Sequence, residues 1–273
     1  MKRLQILIFI VLSIIISWIP WYIGGSGFFA WGPSLAGLIT MLAVDGWQGT
    51  AAMLRRLVHW RVNLVWWGAA LLLPFILTAI AVGAHVWTGG APPPFTFLRE
   101  ELNLLPLLLL VLISPMGGPG GEEAFGWRNY GQDKMQAKWS PLTTSAVIGV
   151  VWAIWHLPEF FNPTSTQYAA GLGFIVPMTV MWIAASILMT WLYNSTGGST
   201  LIAGVIFHLA LDVSSVTLLA DFSMTGMSEG IPPLDMRLVT FQIAVFTILA
   251  VAITIATRGQ LGLPKTRKGS LKH

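Results

Sequence analysis

Three short stretches of an otherwise apolar chain carry side chains able to move protons. The first, Gly117-Gly118-Pro119-Gly120-Gly121-Glu122-Glu123-Ala124-Phe125-Gly126-Trp127-Arg128, sets two adjacent carboxylates ahead of an arginine. In the second, Trp152 precedes His156 by four residues, and in the third His208 precedes Asp212 by four, a spacing that puts each pair on one helix face. Each stretch alone has a plain structural explanation. Carboxylates in a first turn favour the positive end of the helix dipole, a buried histidine is commonly a hydrogen-bonded core residue, and His208 and Asp212 could satisfy one another. Pro158 should kink or end the second helix, leaving Glu159 at an interface. Taken together, two glutamates, two imidazoles and an aspartate on three segments are the inventory for general acid–base chemistry on water.

These groups stand in a sequence that gives them little company. Only 10% of the 273 residues are charged and 55% are hydrophobic, whereas a soluble domain carries about a quarter charged residues. Uncharged runs at 64–82, 170–193 and 238–257 each reach the roughly 18 apolar residues that cross a hydrocarbon layer. The expected fold is all-α: a polytopic membrane helix bundle of about eight transmembrane helices, at 4–22, 29–45, 63–88, 101–116, 142–161, 171–194, 200–219 and 237–257. The start, Met1-Lys2-Arg3 before an apolar run, resembles a signal peptide, but Ser17-Trp18-Ile19-Pro20 reads as the end of a retained helix. An ionisable side chain inside such a span costs about 2.5–3.5 kcal/mol on insertion scales. His156, His208 and Asp212 must therefore face the bundle interior.

Charge placement gives an orientation. With a cytoplasmic N-terminus, all but Arg99 and Arg237 of the 15 Lys and Arg residues fall on the inner side, Arg128 among them. This places both termini in the cytoplasm and accounts for the net charge of +4 without nucleic acid. Trp47, Trp60, Trp66, Trp67, Trp87 and Trp139 lie near expected span ends, where amphipathic rings prefer the interface. Residues 1–257 read as a single membrane domain and 258–273 as a basic cytoplasmic tail lying on the anionic leaflet. The expected partners are membrane lipid and a membrane-associated peptide or protein.

At its polar residues the chain resembles the CAAX protease and bacteriocin-processing family of intramembrane glutamic endopeptidases. That family is marked by Glu-Glu-x-x-x-Arg, then an aromatic-x-x-x-His, then His-x-x-x-Asn or Asp. Here these stand as Glu122-Glu123…Arg128, Trp152-x-x-x-His156 and His208-x-x-x-Asp212, in the family's order. The resemblance runs from about residue 104 to 212 and implies catalytic Glu122, Glu123, His156, His208 and Asp212, supported by Arg128 and Trp152. It implies that Glu123 with His156 activates water, while His208 and Asp212 hold the developing oxyanion, Asp212 as an acceptor orienting His208 or as a protonated donor. The register departs from the family by one: four residues separate Glu123 from Arg128, so Glu123 takes the place of the leading glutamate unless the helix absorbs an insertion at Phe125. Asn129 stands where the family has glycine.

Other routes to proteolysis fit less well. The chain has no cysteine, which excludes a thiol nucleophile, thiolate metal ligands and disulfides. Gly24-Gly25-Ser26-Gly27 matches the Gly-x-Ser-Gly of rhomboid proteases but falls in an expected outer loop. No His-Glu-x-x-His is present. The expectation is a reaction with no cofactor, with zinc held by Glu123, His156 and His208 as the alternative. The rival from another class is a non-catalytic membrane protein: a bacteriocin-immunity or maturation partner, or a small proton-linked transporter. A transporter would more typically show internal repeats and paired broken helices, which the sequence lacks.

Overall fold

The computed structural model describes residues 2–25, 29–101, 118–163, 165–220 and 235–263, and among them every regular element is helical. We label the main helices α1 (Lys2–Ser17), α2 (Gly32–Leu57), α3 (Leu64–Trp87), α4 (Pro119–Glu123), α5 (Pro141–Trp155), α6 (Ile175–Ser195), α7 (Phe207–Leu218) and α8 (Met236–Ala256). Among the described residues five helical stretches are long and apolar enough to cross a membrane: Leu64–Trp87, Pro141–Phe161, Leu172–Ser195, Leu201–Leu218 and Met236–Ala256. Several begin on side-chain caps that the sequence supplies. Asn63 Oδ1 accepts from Val65 N–H, Ser140 Oγ from Thr143 N–H, and Asp235 Oδ1 from the N–H groups of Arg237 and Leu238.

The remaining expected spans differ from the sequence reading. The first ends at Ser17, and a separate turn at Ile19–Tyr22 follows, with Pro20 in it. The second is the apolar half of α2, which kinks at Gly46 (φ 58°) before its basic half with Arg55 and Arg56. The expected fourth span, 101–116, lies outside the described residues except for its first. A different stretch makes a passage through the bundle instead. α4, a π-helical turn at Gly126–Gly131 and a helix at Gln132–Gln136 follow one another as a broken rod. Gly121 abuts Ala30 and Trp31 at one end of the bundle, while Asn129 reaches the Met53 carbonyl and Lys134 pairs with Asp45 towards the other. Apolarity could not reveal this rod, because its charged and amide side chains are enclosed by neighbouring helices, which supply many of their partners.

The ends of the bundle are well defined by contacts. Arg56 pairs with Asp133 at 3.3 Å, Ser199 donates to the His59 carbonyl, and Asn194 donates to the Leu261 carbonyl, so 55–63, 132–140, 194–200 and 257–263 share one basic end. Trp18 donates to the Trp155 carbonyl and Trp21 stacks on Phe161 at the opposite end. Residues 258–263 pack on the bundle, with Leu261 fully buried, so the folded part continues past the expected boundary at 257. The helices approach closely where glycines allow it. A Cβ on Gly149 would lie 2.6 Å from Ile183 Cα across α5 and α6, and one on Gly37 would lie 2.0 Å from the Phe125 carbonyl oxygen.

Candidate active site

The acidic end of the rod is held by its neighbours before any chemistry is considered. α4 is only five residues long and stops because Ala124 and Phe125 form a turn, with Phe125 at φ −126°, ψ −4°. Ser34 Oγ accepts from the Phe125 N–H, and Asn129 Nδ2 donates to the carbonyls of Ala124 and Met53, which fixes the turn to α2. The π-helical turn that follows brings the Arg128 N–H onto Glu123 Oε2 at 3.0 Å. Arg128 Nε is 3.8 Å from the same oxygen, and both side chains are wholly buried. Gly204 makes room for this pair: a Cβ there would lie 3.1 Å from the Cβ atoms of Glu123 and Arg128.

The other glutamate is held differently. Glu122 Oε2 accepts from Trp152 Nε1 at 2.9 Å, and its charge has no arginine against it in the way that of Glu123 does. The two neighbours nevertheless converge, since one ligand-type atom each from Glu122, Glu123 and His208 lie within 4.8 Å of one another. A helix turns about 100° per residue, but the flexible glutamate side chains at the end of so short a helix can still reach a common space. Expectation had placed only one of them towards the histidine machinery.

The imidazoles take distinct places. His208 Nδ1 is 3.4 Å from Glu123 Oε1, and its Nε2 is 3.6 Å from Asp212 Oδ1. Each ring nitrogen therefore faces a carboxylate, and both could donate only in the doubly protonated ring. Trp152 packs edge-on to His208 with ring centroids 5.0 Å apart, and its centroid is 5.9 Å from that of His156. His156 Nδ1 lies 2.9 Å from the Trp152 carbonyl oxygen, which can only accept, so Nδ1 carries the hydrogen and Nε2 the lone pair of the neutral ring. Its ring stacks on Trp182, 4.5 Å between centroids. Among the described residues the compact cluster is thus Glu122, Glu123 and His208. The expected trio of Glu123, His156 and His208 is not that cluster, because the Trp152 carbonyl and the Trp182 face hold His156 to one side. Asp212 is less enclosed than expected, with its side chain about a third exposed.

Sequence reasoning named Arg128 as a supporting residue but passed over the buried amides that continue from it. Arg128, counted from sequence as an inner-loop charge, is fully buried and donates through Nη1 to Gln132 Oε1, which also accepts from Thr190. The amides continue in one direction: Gln132 donates to Gln136, Gln136 to Asn194, and Asn194 to the Leu261 carbonyl. On the surface side Arg56 Nε donates to Asn129 Oδ1. The signal available in the sequence was the four-residue step from Arg128 to Gln132 and on to Gln136. Glu159, expected at an interface, is buried in the 3-10 turn Leu157–Phe161.

The comparisons with known proteins fall on this same part of the chain. The family model described as type II CAAX prenyl endopeptidase Rce1-like matches residues 102–214. A protein named CAAX prenyl protease 2 from Methanococcus maripaludis is 29% identical over 160 residues, covering 55% of this chain and 53% of the relative. The chain therefore spans about half the length of that relative. Glu122, Glu123, Arg128, Trp152, His156, His208 and Asp212 all lie within the matched segment.

Proposed function

We propose, from the match of that segment, that the chain is an intramembrane endopeptidase of the CAAX protease and bacteriocin-processing family that hydrolyses a peptide bond of a membrane-associated substrate. The observation that carries this reading is the convergence of Glu122, Glu123 and His208 in one buried space, with Trp152, His156 and Asp212 around it.

In this reading the two glutamates divide the work by their partners. Glu123 is anchored by the Arg128 backbone N–H and faces its guanidinium, an arrangement that suits it to positioning. Glu122 keeps only the indole N–H of Trp152 and is the base that takes a proton from water. The sequence register had favoured Glu123, but that count assumed an unbroken helix. The turn at Ala124–Phe125 can hold an extra residue, which supports taking Glu122 as the counterpart of the family's leading glutamate. The family resemblance assigns His156 a part in activating the water. His208, supported by Asp212, supplies N–H donation to the oxyanion as it forms. The substrate could carry a lipid or be a peptide precursor, because a site inside the bundle favours a chain tethered to the membrane. The distribution of Lys and Arg along the sequence supports a multi-pass cell-membrane protein with both termini cytoplasmic as part of this proposal.

The same cluster favours one second reading. Two carboxylates and an imidazole with ligand atoms within 4.8 Å are adequate for zinc, which would polarise the carbonyl and activate water. The test of the main reading is turnover of a tagged, membrane-anchored peptide by protein purified in detergent. Cleavage lost with Glu122→Gln supports it. Binding of the peptide without cleavage by the unaltered protein, across a panel of lipidated and unlipidated substrates, would instead favour the non-catalytic role.

A further inference from the structure

α2 ends in a basic turn whose charges are only partly matched by acids. Arg56 is committed: its Nη1 lies 3.3 Å from Asp133 Oδ1 and its Nε donates to Asn129 Oδ1. Arg55 and Arg61, both exposed, have no carboxylate partner among the described residues. The Arg61 guanidinium instead lies 5.3 Å from the centre of the Trp60 ring, a cation–π contact that keeps it beside an exposed indole. Arg55, Arg56, His59, Trp60 and Arg61 line a surface cavity of about 790 Å³.

The turn that carries these side chains is held at several points. His59 N–H donates to the Arg56 carbonyl, Trp60 N–H to the Val58 carbonyl and Val62 N–H to the Trp60 carbonyl. Two further bonds tie it to other elements: Ser199 Oγ donates to the His59 carbonyl, and Trp67 Nε1 to the Trp60 carbonyl. The arginines thus project from a fixed backbone, which lowers the ordering cost of binding an anion.

Guanidiniums without a counter-ion suit a phosphate, whose oxygens accept from their paired N–H groups. The surroundings decide what carries that phosphate. Val58, Trp60, Leu64 and Val65 are all exposed, and α3 begins three residues after Arg61. Leu64, Gly68, Leu72 and Ile76 follow in four-residue steps on one face of α3, with the three large side chains exposed and open space around the glycine. From Leu64 to Ile76 is about 18 Å at 1.5 Å per residue, slightly more than half of the roughly 30 Å hydrocarbon layer and so the reach of one acyl chain. Such a face does nothing for a free phosphate. A headgroup with its own ammonium would set that cation against Arg55 and Arg61, so a net anionic headgroup is selected.

We infer that the turn at 55–61 binds one anionic phospholipid, with its phosphate at Arg55 and Arg61 and an acyl chain along the Leu64–Ile76 face of α3. Trp60 then stands where the headgroup meets the acyl layer, the level that amphipathic rings prefer. The site is separate from the polar cluster of glutamates and histidines, and its occupancy does not depend on the proteolytic reading.

The test uses the full chain purified in detergent, titrated with phosphatidylglycerol or phosphatidylcholine and followed by native mass spectrometry of the intact protein–lipid complex. The expected result is one phosphatidylglycerol held at least about tenfold more tightly than phosphatidylcholine, a preference that falls to about twofold or less in Arg55→Gln/Arg61→Gln. Lys265→Gln/Lys268→Gln, which removes the same charge elsewhere in the sequence, is expected to keep the preference. Thermal unfolding checks that each variant folds; should the double arginine variant not fold, Arg61→Gln alone is read, with at least about a threefold loss of preference expected. Inorganic phosphate in excess is expected to leave the lipid bound. Equal binding of the two lipids, an undiminished preference in the arginine variants, or an equal loss in the lysine variant overturns the inference. Displacement of the lipid by inorganic phosphate also overturns it, by assigning the cavity to a free anion.

Discussion

The two glutamates differ in what their loss should do, and the difference can be worked from their partners. Glu123→Gln removes the negative charge beside a wholly buried Arg128 and beside His208. Breaking a buried pair by neutralising one partner typically costs about 3–5 kcal/mol, because the other charge is left uncompensated. The amide oxygen can still accept from the Arg128 N–H, which places the expected cost at the lower end, about 3 kcal/mol. Glu122→Gln breaks no ion pair, and its amide oxygen can keep the bond from Trp152 Nε1, so the expected loss of stability is below about 1 kcal/mol. Removal of a positioned base costs about 10²–10⁴ in rate, or roughly 3–5 kcal/mol of barrier. Glu122→Gln should therefore yield well-folded, inactive protein, and Glu123→Gln should yield protein with a clearly lowered unfolding temperature in detergent. The assay pairs thermal unfolding followed by tryptophan fluorescence with turnover of the tagged peptide. If Glu122→Gln retains turnover while Glu123→Gln folds like the unaltered chain and is inactive, the division of roles is wrong and the sequence register was the better guide.

Three further outcomes follow from particular contacts. Trp152→Phe keeps an aromatic face beside both histidines but deletes the donor to Glu122; a hydrogen bond to a charged group is worth about 1.5–3 kcal/mol, so turnover should fall by about tenfold to a hundredfold, and an unchanged rate refutes the bond's role. Gly37→Ala would put a methyl 2.0 Å from the Phe125 carbonyl oxygen and should cost about 1–3 kcal/mol of stability, read as a lower unfolding temperature, whereas Gly68→Ala, with open space around it, should not. If the reaction needs no metal, purified active protein should hold substoichiometric zinc and survive chelation, while one zinc per chain, with activity lost to a chelator and regained on its return, establishes the zinc reading.

What the sequence determined by itself was set by composition and local spacing. Apolar runs long enough to cross a bilayer announce a helical membrane protein, because lipid offers no alternative partner for the backbone. Ionisable groups stand out there, so His156, His208 and Asp212 could be picked out from their cost, while Glu122 and Glu123, between expected spans, were singled out by the motif they share with the family. The passage at 119–136 was not legible in this way. Its glycines and charges are tolerated only because α2, α6 and the turn at Leu201–Ile206 wrap them, and a hydropathy pattern cannot register partners distant in sequence. The register between Glu123 and Arg128 was likewise beyond a count of residues. The chain there breaks at Ala124–Phe125, a turn that Ser34 and Asn129 hold. Tertiary structure alone decided which imidazole meets the carboxylates. His156 and His208 look alike in sequence, each four residues from a polar or aromatic partner, but the carbonyl of Trp152 and the face of Trp182 hold the first, and the second lies between Glu123 and Asp212. Spacing along a helix fixes the face on which a side chain stands; the helices packed against that face fix what it can touch.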